Sequence, residues 1–296
     1  MASTTEIKAR VPRPAMDLAN WTTRQWGLAT AARRGLPDFL VIGTKRGGTT
    51  SLFNYLLMHP GILGLYPQVR GRKSTDYFFR NLHLGEPWYR SHFHTDAHLE
   101  RATRRLGYRP QSGEASPFYM WDERIPERVH ELAPSVKAIA LVRDPVERAW
   151  SHYQERVQNG VEPLSFPEAL EAEERRTAHE LERMRNDPDY HADAWDWYAY
   201  RQRGVYLPQL ETWTATFPRE QLLVLRSEDM YADVQSAFDT TCEFLGLPSV
   251  ELPTRKTFNA SARAPMPESV RAELTDFYAP HNARLEAFLG RSLHWS

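Results

Sequence analysis

Phe39-Leu-Val-Ile-Gly-Thr-Lys-Arg-Gly-Gly-Thr-Thr-Ser51 decides how this chain is to be read. Residues 39–42 form a short apolar run of the kind buried on both faces of a parallel sheet. A glycine-rich stretch over 43–48 follows, and a helical pattern over 49–58 ends at His59-Pro60-Gly61. Strand, glycine-rich loop and helix in that order make an anion site. The adjacent Gly47 and Gly48 let the backbone curl closely around a ligand. The helix start offers unpaired N–H groups and the positive end of its dipole. Thr49, Thr50 and Ser51 add hydroxyls, and Lys45 and Arg46 add positive charge. The loop is not a Walker A motif, because Thr49 stands where the lysine after the last glycine is required, and G-x-G-x-x-G is absent.

A second stretch repeats the arrangement: Ala140-Leu-Val-Arg-Asp-Pro-Val-Glu-Arg-Ala-Trp-Ser-His-Tyr153. An apolar strand over 137–142 runs straight into a helix with a legible start, Asp144 at the N-cap, Pro145 at N1 and Glu147 at N3. Arg143 falls at the strand's carboxyl end, where ligands bind in open α/β sheets. Ser151 follows two turns into the helix. A forked cation and a hydroxyl on rigid elements can grip a terminal phosphate. Two such segments together describe a ligand with two separated phosphates.

The rest of the chain fits this frame. Further strands are expected over 62–66 and 222–225. Helices are expected over 88–106, 166–187, 204–217, 234–245 and 270–289, the last with a possible break near Pro280. Glu171, Glu173, Glu174, Arg175 and Arg176 read as a solvated helix face. Strands alternating with helices predict an α/β, P-loop-like three-layer fold with a central, mainly parallel sheet flanked by helices. Residues 1–36 read as an arm or peripheral helix. Residues 37–296 read as one domain, with 160–200 as a helical acceptor-side region.

The 296 residues, 41% of them hydrophobic, suffice for one large core. A net charge of −1 gives no global field favouring nucleic acid. The single cysteine, Cys242, excludes an intramolecular disulfide and a Cys-rich metal site, and reads as a buried thiol. The first residues lack the apolar core of a secretory signal, and no apolar run reaches the ~18 residues of a membrane span. The expected location is cytoplasmic.

The two phosphate segments resemble those of sulfotransferases that use 3′-phosphoadenosine-5′-phosphosulfate (PAPS), closest to the heparan sulfate N- and 3-O-sulfotransferase branch and its bacterial relatives. The first resembles that branch's 5′-phosphosulfate loop, roughly K-G-G-T, with Arg46 at the position of the lysine. The second resembles the 3′-phosphate motif L-x-x-R-D-P-x-x-R-x-x-S-x-Y, matched at Arg143, Asp144, Pro145, Arg148, Ser151 and Tyr153. The resemblance implies sulfuryl transfer from PAPS to a hydroxyl, or less readily an amine, leaving adenosine 3′,5′-bisphosphate and requiring no metal. It assigns Arg46 to the leaving phosphate, with Lys45 as the alternative if the loop is shifted by one, and Arg143 and Ser151 to the 3′-phosphate. Arg148 is assigned a structural role. Tyr206 would approach the nucleotide or line the cleft, and Lys256 and Arg263 would belong to a loop covering the nucleotide.

The family's base is a glutamate in a K-E-x-x-F-F-like segment. The matching stretch is Lys73-Ser-Thr-Asp-Tyr-Phe78, with Ser74 at the glutamate position. Asp76 points the same way as residue 74 if the segment is extended, and is the first choice of base. Glu114, in a stretch similar to the family's E-K-S-P element, is the second. The acceptor is open: Arg70, Arg72 and Lys73 could recognise an anionic glycan, and Trp195, Trp197, Tyr198 and Tyr200 could stack a ring. A small glycoside, glycan or secondary metabolite fits. A P-loop kinase using ATP is the rival enzyme reading, and it lacks its lysine. A noncatalytic nucleotide- or glycan-binding module is the other rival.

Overall fold

A computed structural model describes residues 13–66, 72–255 and 265–295. Five strands, β1 (Phe39–Gly43), β2 (Ile62–Leu63), β3 (Gln111–Ala115), β4 (Lys137–Val142) and β5 (Leu222–Arg226), form one sheet in the order β2-β3-β1-β4-β5. Every neighbouring pair is parallel. The helices used below are α1 (Arg13–Ala29), α2 (Thr49–Leu56), α3 (Gly85–Arg90), α4 (Asp96–Leu106), α5 (Ile125–Leu132), α6 (Pro145–Gln158), α7 (Phe166–Thr177), α8 (Glu180–Asn186), α9 (Asp193–Tyr198), α10 (Tyr206–Thr216), α11 (Ser227–Ala232), α12 (Val234–Leu245) and α13 (Glu268–Leu289).

Alternation along each strand divides the core into two layers. Leu40, Ile42, Ala138, Ala140 and Val142 face Ile125 and Val129 of α5 and Leu210 and Trp213 of α10. Phe39, Val41, Ile139 and Leu141 face Leu52 and Phe53 of α2 and Phe238 and Cys242 of α12. This is the expected helix–sheet–helix sandwich. Cys242 is buried there, and burial pushes its thiol up to about 12. A third cluster joins α6, α7 and α13 through Val146, Ala149, Phe166, Leu170, Leu274 and Tyr278. No helix among the described residues is long and apolar enough to cross a membrane.

Five local expectations are corrected. The helix expected over 88–106 is split into α3 and α4, and the strand at 62–66 is two residues long. The segment 166–187 is split into α7 and α8 at His179, which takes a positive φ of 62°. Glu173 is not on a solvated face: it is buried and accepts from the backbone N–H groups of Arg201 and Gln202. Helix α13 runs unbroken through Pro280, held by buried Val270, Leu274, Tyr278 and Leu285 on both sides of it.

Strand β3 has no apolar run, and sequence reading passes over it. Its place depends on Gly113, where an added Cβ would lie 2.5 Å from the Phe39 ring. Gly113→Ala therefore forces that ring to move, at about 1–3 kcal/mol. Urea denaturation of Gly113→Ala, Phe39→Leu and the double variant checks this, the double being more stable than the sum of the singles predicts.

Candidate active site

Parallel β1 and β4 are neighbours, so the loops at their carboxyl ends lie side by side. Thr44 N donates to Leu141 O at 2.8 Å, tying the first loop to β4, and Gly47 N closes a turn on Thr44 O at 2.9 Å. Arg46 and Gly48 take left-handed backbone, φ 69° and 95°. A Cβ on Gly47 would come within 2.7 Å of Leu141 O, and one on Gly48 within 2.9 Å of the Tyr231 hydroxyl. The loop thus requires both glycines. Ser227 donates its hydroxyl to Gly47 O. Beyond the loop, α2 begins at Thr49 without a side-chain cap, leaving the donors of its first turn directed outward.

The second segment closes against the first. Arg46 Nε donates to Ser151 Oγ at 2.9 Å, and Arg143 Nη1 donates to Arg46 O at 3.3 Å. Tyr206 is buried and donates its hydroxyl to Arg143 O at 2.8 Å, which fixes the backbone that carries the guanidinium. Asp144 caps α6 by accepting from Val146 N at 2.9 Å. The reciprocal half of the expected capping box is filled differently: Asp144 N donates to Glu228 Oε1, while Glu147 pairs with Arg271 at 2.7 Å and Arg143 at 3.7 Å. Arg148 is fully buried and donates to Tyr200 O.

Lys45 belongs to a different group. Its ammonium pairs with Asp196 at 3.3 Å and lies 3.9 Å from Glu155, while Arg203 reaches Asp196 at 3.0 Å. Burial, reinforced by Arg203, pushes the lysine down to about 7.

A third segment meets the loop from the β3 side. Ala115 N donates to Lys73 O at 2.7 Å, and Thr75 donates from N and Oγ1 to Glu114 Oε2 at 2.5 and 2.7 Å. Glu114 Oε1 accepts from Tyr89 at 2.9 Å and Tyr119 at 3.0 Å. Burial pushes this fully enclosed carboxyl up to about 7. Asp76 is not extended: its φ is 50°. Its side chain still meets residue 74, because Ser74 and Ser116 both donate to Asp76 Oδ1, at 2.6 and 2.7 Å.

Residues 36–266 match the Sulfotransferase domain family. The chain belongs to this family. A sulfotransferase from Alicyclobacillus acidocaldarius superposes with a TM-score of 0.63 at 30% identity, covering 88% of this chain and 98% of that one. Human bifunctional heparan sulfate N-deacetylase/N-sulfotransferase 3 is 28% identical over 282 residues, 86% of this chain and 30% of that protein. Mouse heparan sulfate glucosamine 3-O-sulfotransferase 3B1 is 27% identical over 294 residues, 90% of this chain and 66% of that protein. The chain thus spans less than two thirds of the length of these two heparan sulfate relatives.

Of the residues singled out in the sequence, this sulfotransferase domain brings together Arg46, Gly47, Gly48, Thr49, Thr50, Ser51, Arg143 and Ser151, with Asp76 on the third segment. Tyr206 supports Arg143 from behind, and Glu114 supports the third segment. Lys256, Arg263 and Arg70 lie outside the described residues. The four aromatics near 195–200 do not form one surface. Trp195 stacks on Trp121, Tyr200 is buried against Glu162, and Trp197 is exposed. Sequence reading missed Ser116, Tyr231 and the place of Lys73, which is on the threonines of α2. Tyr231 has no motif of its own, and Ser116 and Lys73 lie in stretches read for their neighbours; each takes its place by tertiary contact.

The Glu114 carboxyl titrates higher in the folded chain than its ordinary 4.5, so the folded state holds the extra proton and loses stability as pH rises from about 4.5 to about 7. Glu114→Gln, which keeps both an acceptor and a donor for these partners, lacks this slope. Urea midpoints at about pH 5 and about pH 7.5 should show wild type losing ground relative to the variant at the higher pH.

Proposed function

We propose that the chain transfers a sulfuryl group from PAPS to a hydroxyl of a small molecule or glycan. The observation that carries this is the junction of Arg46, Arg143 and Ser151 at the carboxyl ends of neighbouring parallel strands, beside the uncapped start of α2. Two guanidinium groups, a hydroxyl and a helix N-terminus suit a ligand with two phosphate groups. The glycine-formed cradle at Gly47 and Gly48 fits close approach of such a group.

Arg143 and Ser151 hold the 3′-phosphate. Arg46 and the amides from Gly47 to Thr49 stabilise the charge left on the 5′-phosphate as the sulfuryl group departs. Asp76 orients the acceptor and takes its proton. Both hydrogen bonds that fix this carboxylate fall on Oδ1, which leaves Oδ2 for the acceptor. Glu114 is the weaker choice of base, because all four of its hydrogen bonds go to the scaffold. The nucleotide specificity and a cytoplasmic location are part of this reading, the second resting on the sequence alone.

Calorimetric titration with adenosine 3′,5′-bisphosphate, 5′-AMP, ADP and ATP tests the donor. Only the first should bind tightly, and Arg143→Ala should weaken it by about 10-fold or more. A preference for ATP, or no nucleotide binding, overturns the reading. With radiolabelled PAPS and a panel of hydroxylated acceptors, Asp76→Asn should lose about 10²- to 10⁴-fold in kcat while binding adenosine 3′,5′-bisphosphate like wild type.

A further inference from the structure

Lys73 is the lysine of the third segment, and its ammonium rests on the first turn of α2. Nζ donates to Thr50 Oγ1 at 2.9 Å and to Thr49 Oγ1 at 3.3 Å. Among the described residues it forms no ion pair. An ammonium at the positive end of a helix dipole is electrostatically out of place unless an anion joins it. Burial already pushes this group down to about 8, opposed by the negative charge of Asp76. The lysine is also held firmly. Its carbonyl accepts from Ala115 N, and the residues after it are pinned by Glu114 and Ser116.

The first loop sends no ammonium to this end. Arg46 directs its guanidinium to Ser151, and Lys45 is committed to Asp196. The segment bearing Lys73 carries Asp76 three residues later. A cation on the start of α2 that also feels the charge of the acceptor's base is well placed to meet the transferring group.

We propose that Lys73 contacts the sulfuryl group of PAPS directly, supplying at the transferring end of the donor the ammonium that the first loop lacks. This rests on the PAPS reading above. The sulfuryl group leaves the 5′-phosphate oxygen with the bond's electron pair remaining on that oxygen, and the acceptor oxygen forms the new bond to sulfur. Lys73 keeps its proton throughout and screens the charge on the sulfuryl oxygens.

Adenosine 3′,5′-bisphosphate lacks the sulfuryl group, so a pair of titrations isolates this contact without a known acceptor. Lys73→Gln should weaken PAPS by about 10- to 100-fold, as loss of a charge-assisted contact does, and adenosine 3′,5′-bisphosphate by less than about 3-fold. Lys73→Arg, which restores charge, should recover part of the PAPS affinity and keeps the test available if the glutamine variant does not fold. Equal weakening of both ligands, or of neither, overturns the role of Lys73. Wild-type protein that binds neither ligand overturns the PAPS reading itself.

Discussion

The pairing of β1 with β4 is the constraint from which the site follows. The register shifts between Val41 and Gly43, so that Gly43 stands opposite Ala140 while β4 continues to Val142. The first loop therefore leaves its strand alongside β4 rather than beyond it. Thr44 bonds to Leu141 O, and the backbone at Gly47 passes so close to the same carbonyl that no Cβ fits. Arg143, the first residue past β4, then meets the loop at Arg46. On a sheet that changes winding direction beside β1, this is the crevice where open α/β folds bind ligands.

Charge is distributed around this crevice in two ways. Lys45 and Arg203 share Asp196 in a buried ionic cluster, with Arg203 stacked over Trp121 at 4.9 Å. That cluster sets two buried cations on one carboxylate and ties α9 to the loop through Lys45. Arg46 and Arg143 meet instead through the Arg46 carbonyl, with Glu147 3.7 Å from Arg143. Two cations tied by one backbone carbonyl and one hydroxyl, and set beside the uncapped start of α2, are poised for an anion in a way that the buried Asp196 cluster is not.

The sequence reveals those parts of the fold that depend on apolar runs and turn chemistry. Strands β1, β4 and β5, the glycines of the first loop and the Asp144 cap are all of this kind, and so is the three-layer architecture. Strand β3 is not, because Gln111-Ser-Gly-Glu-Ala115 has no hydrophobic pattern. It is secured by Phe39 against Gly113 and by four donors on Glu114, three of them from Thr75 and Tyr89, which are distant in sequence. Glu173 misleads for the same reason, since two backbone N–H groups from 201 and 202 draw it inside. For the site, residue type and spacing located Arg46, Arg143 and Ser151. They could not show that Lys45 turns to Asp196 and Lys73 to α2, because neighbouring lysines are alike in sequence and differ only in what surrounds them.

Asp76 and Glu114 show the same dependence on surroundings. Both are acids near the end of β3, and they are bound to the two sides of one short segment. Glu114 has hydrogen bonds on both oxygens and no solvent, so it acts as a fixed post to which Thr75 is tied. Asp76 is held at one oxygen by two serines, one of them at the position where relatives of the heparan branch are read to carry glutamate. A serine at 74 is too short to act as base, but it is well suited to orient a carboxylate two residues on. The positive φ at 76 makes this possible by turning the chain back on itself. Thus the change at 74 need not empty the site of an acid, because the backbone brings another one to the same serine.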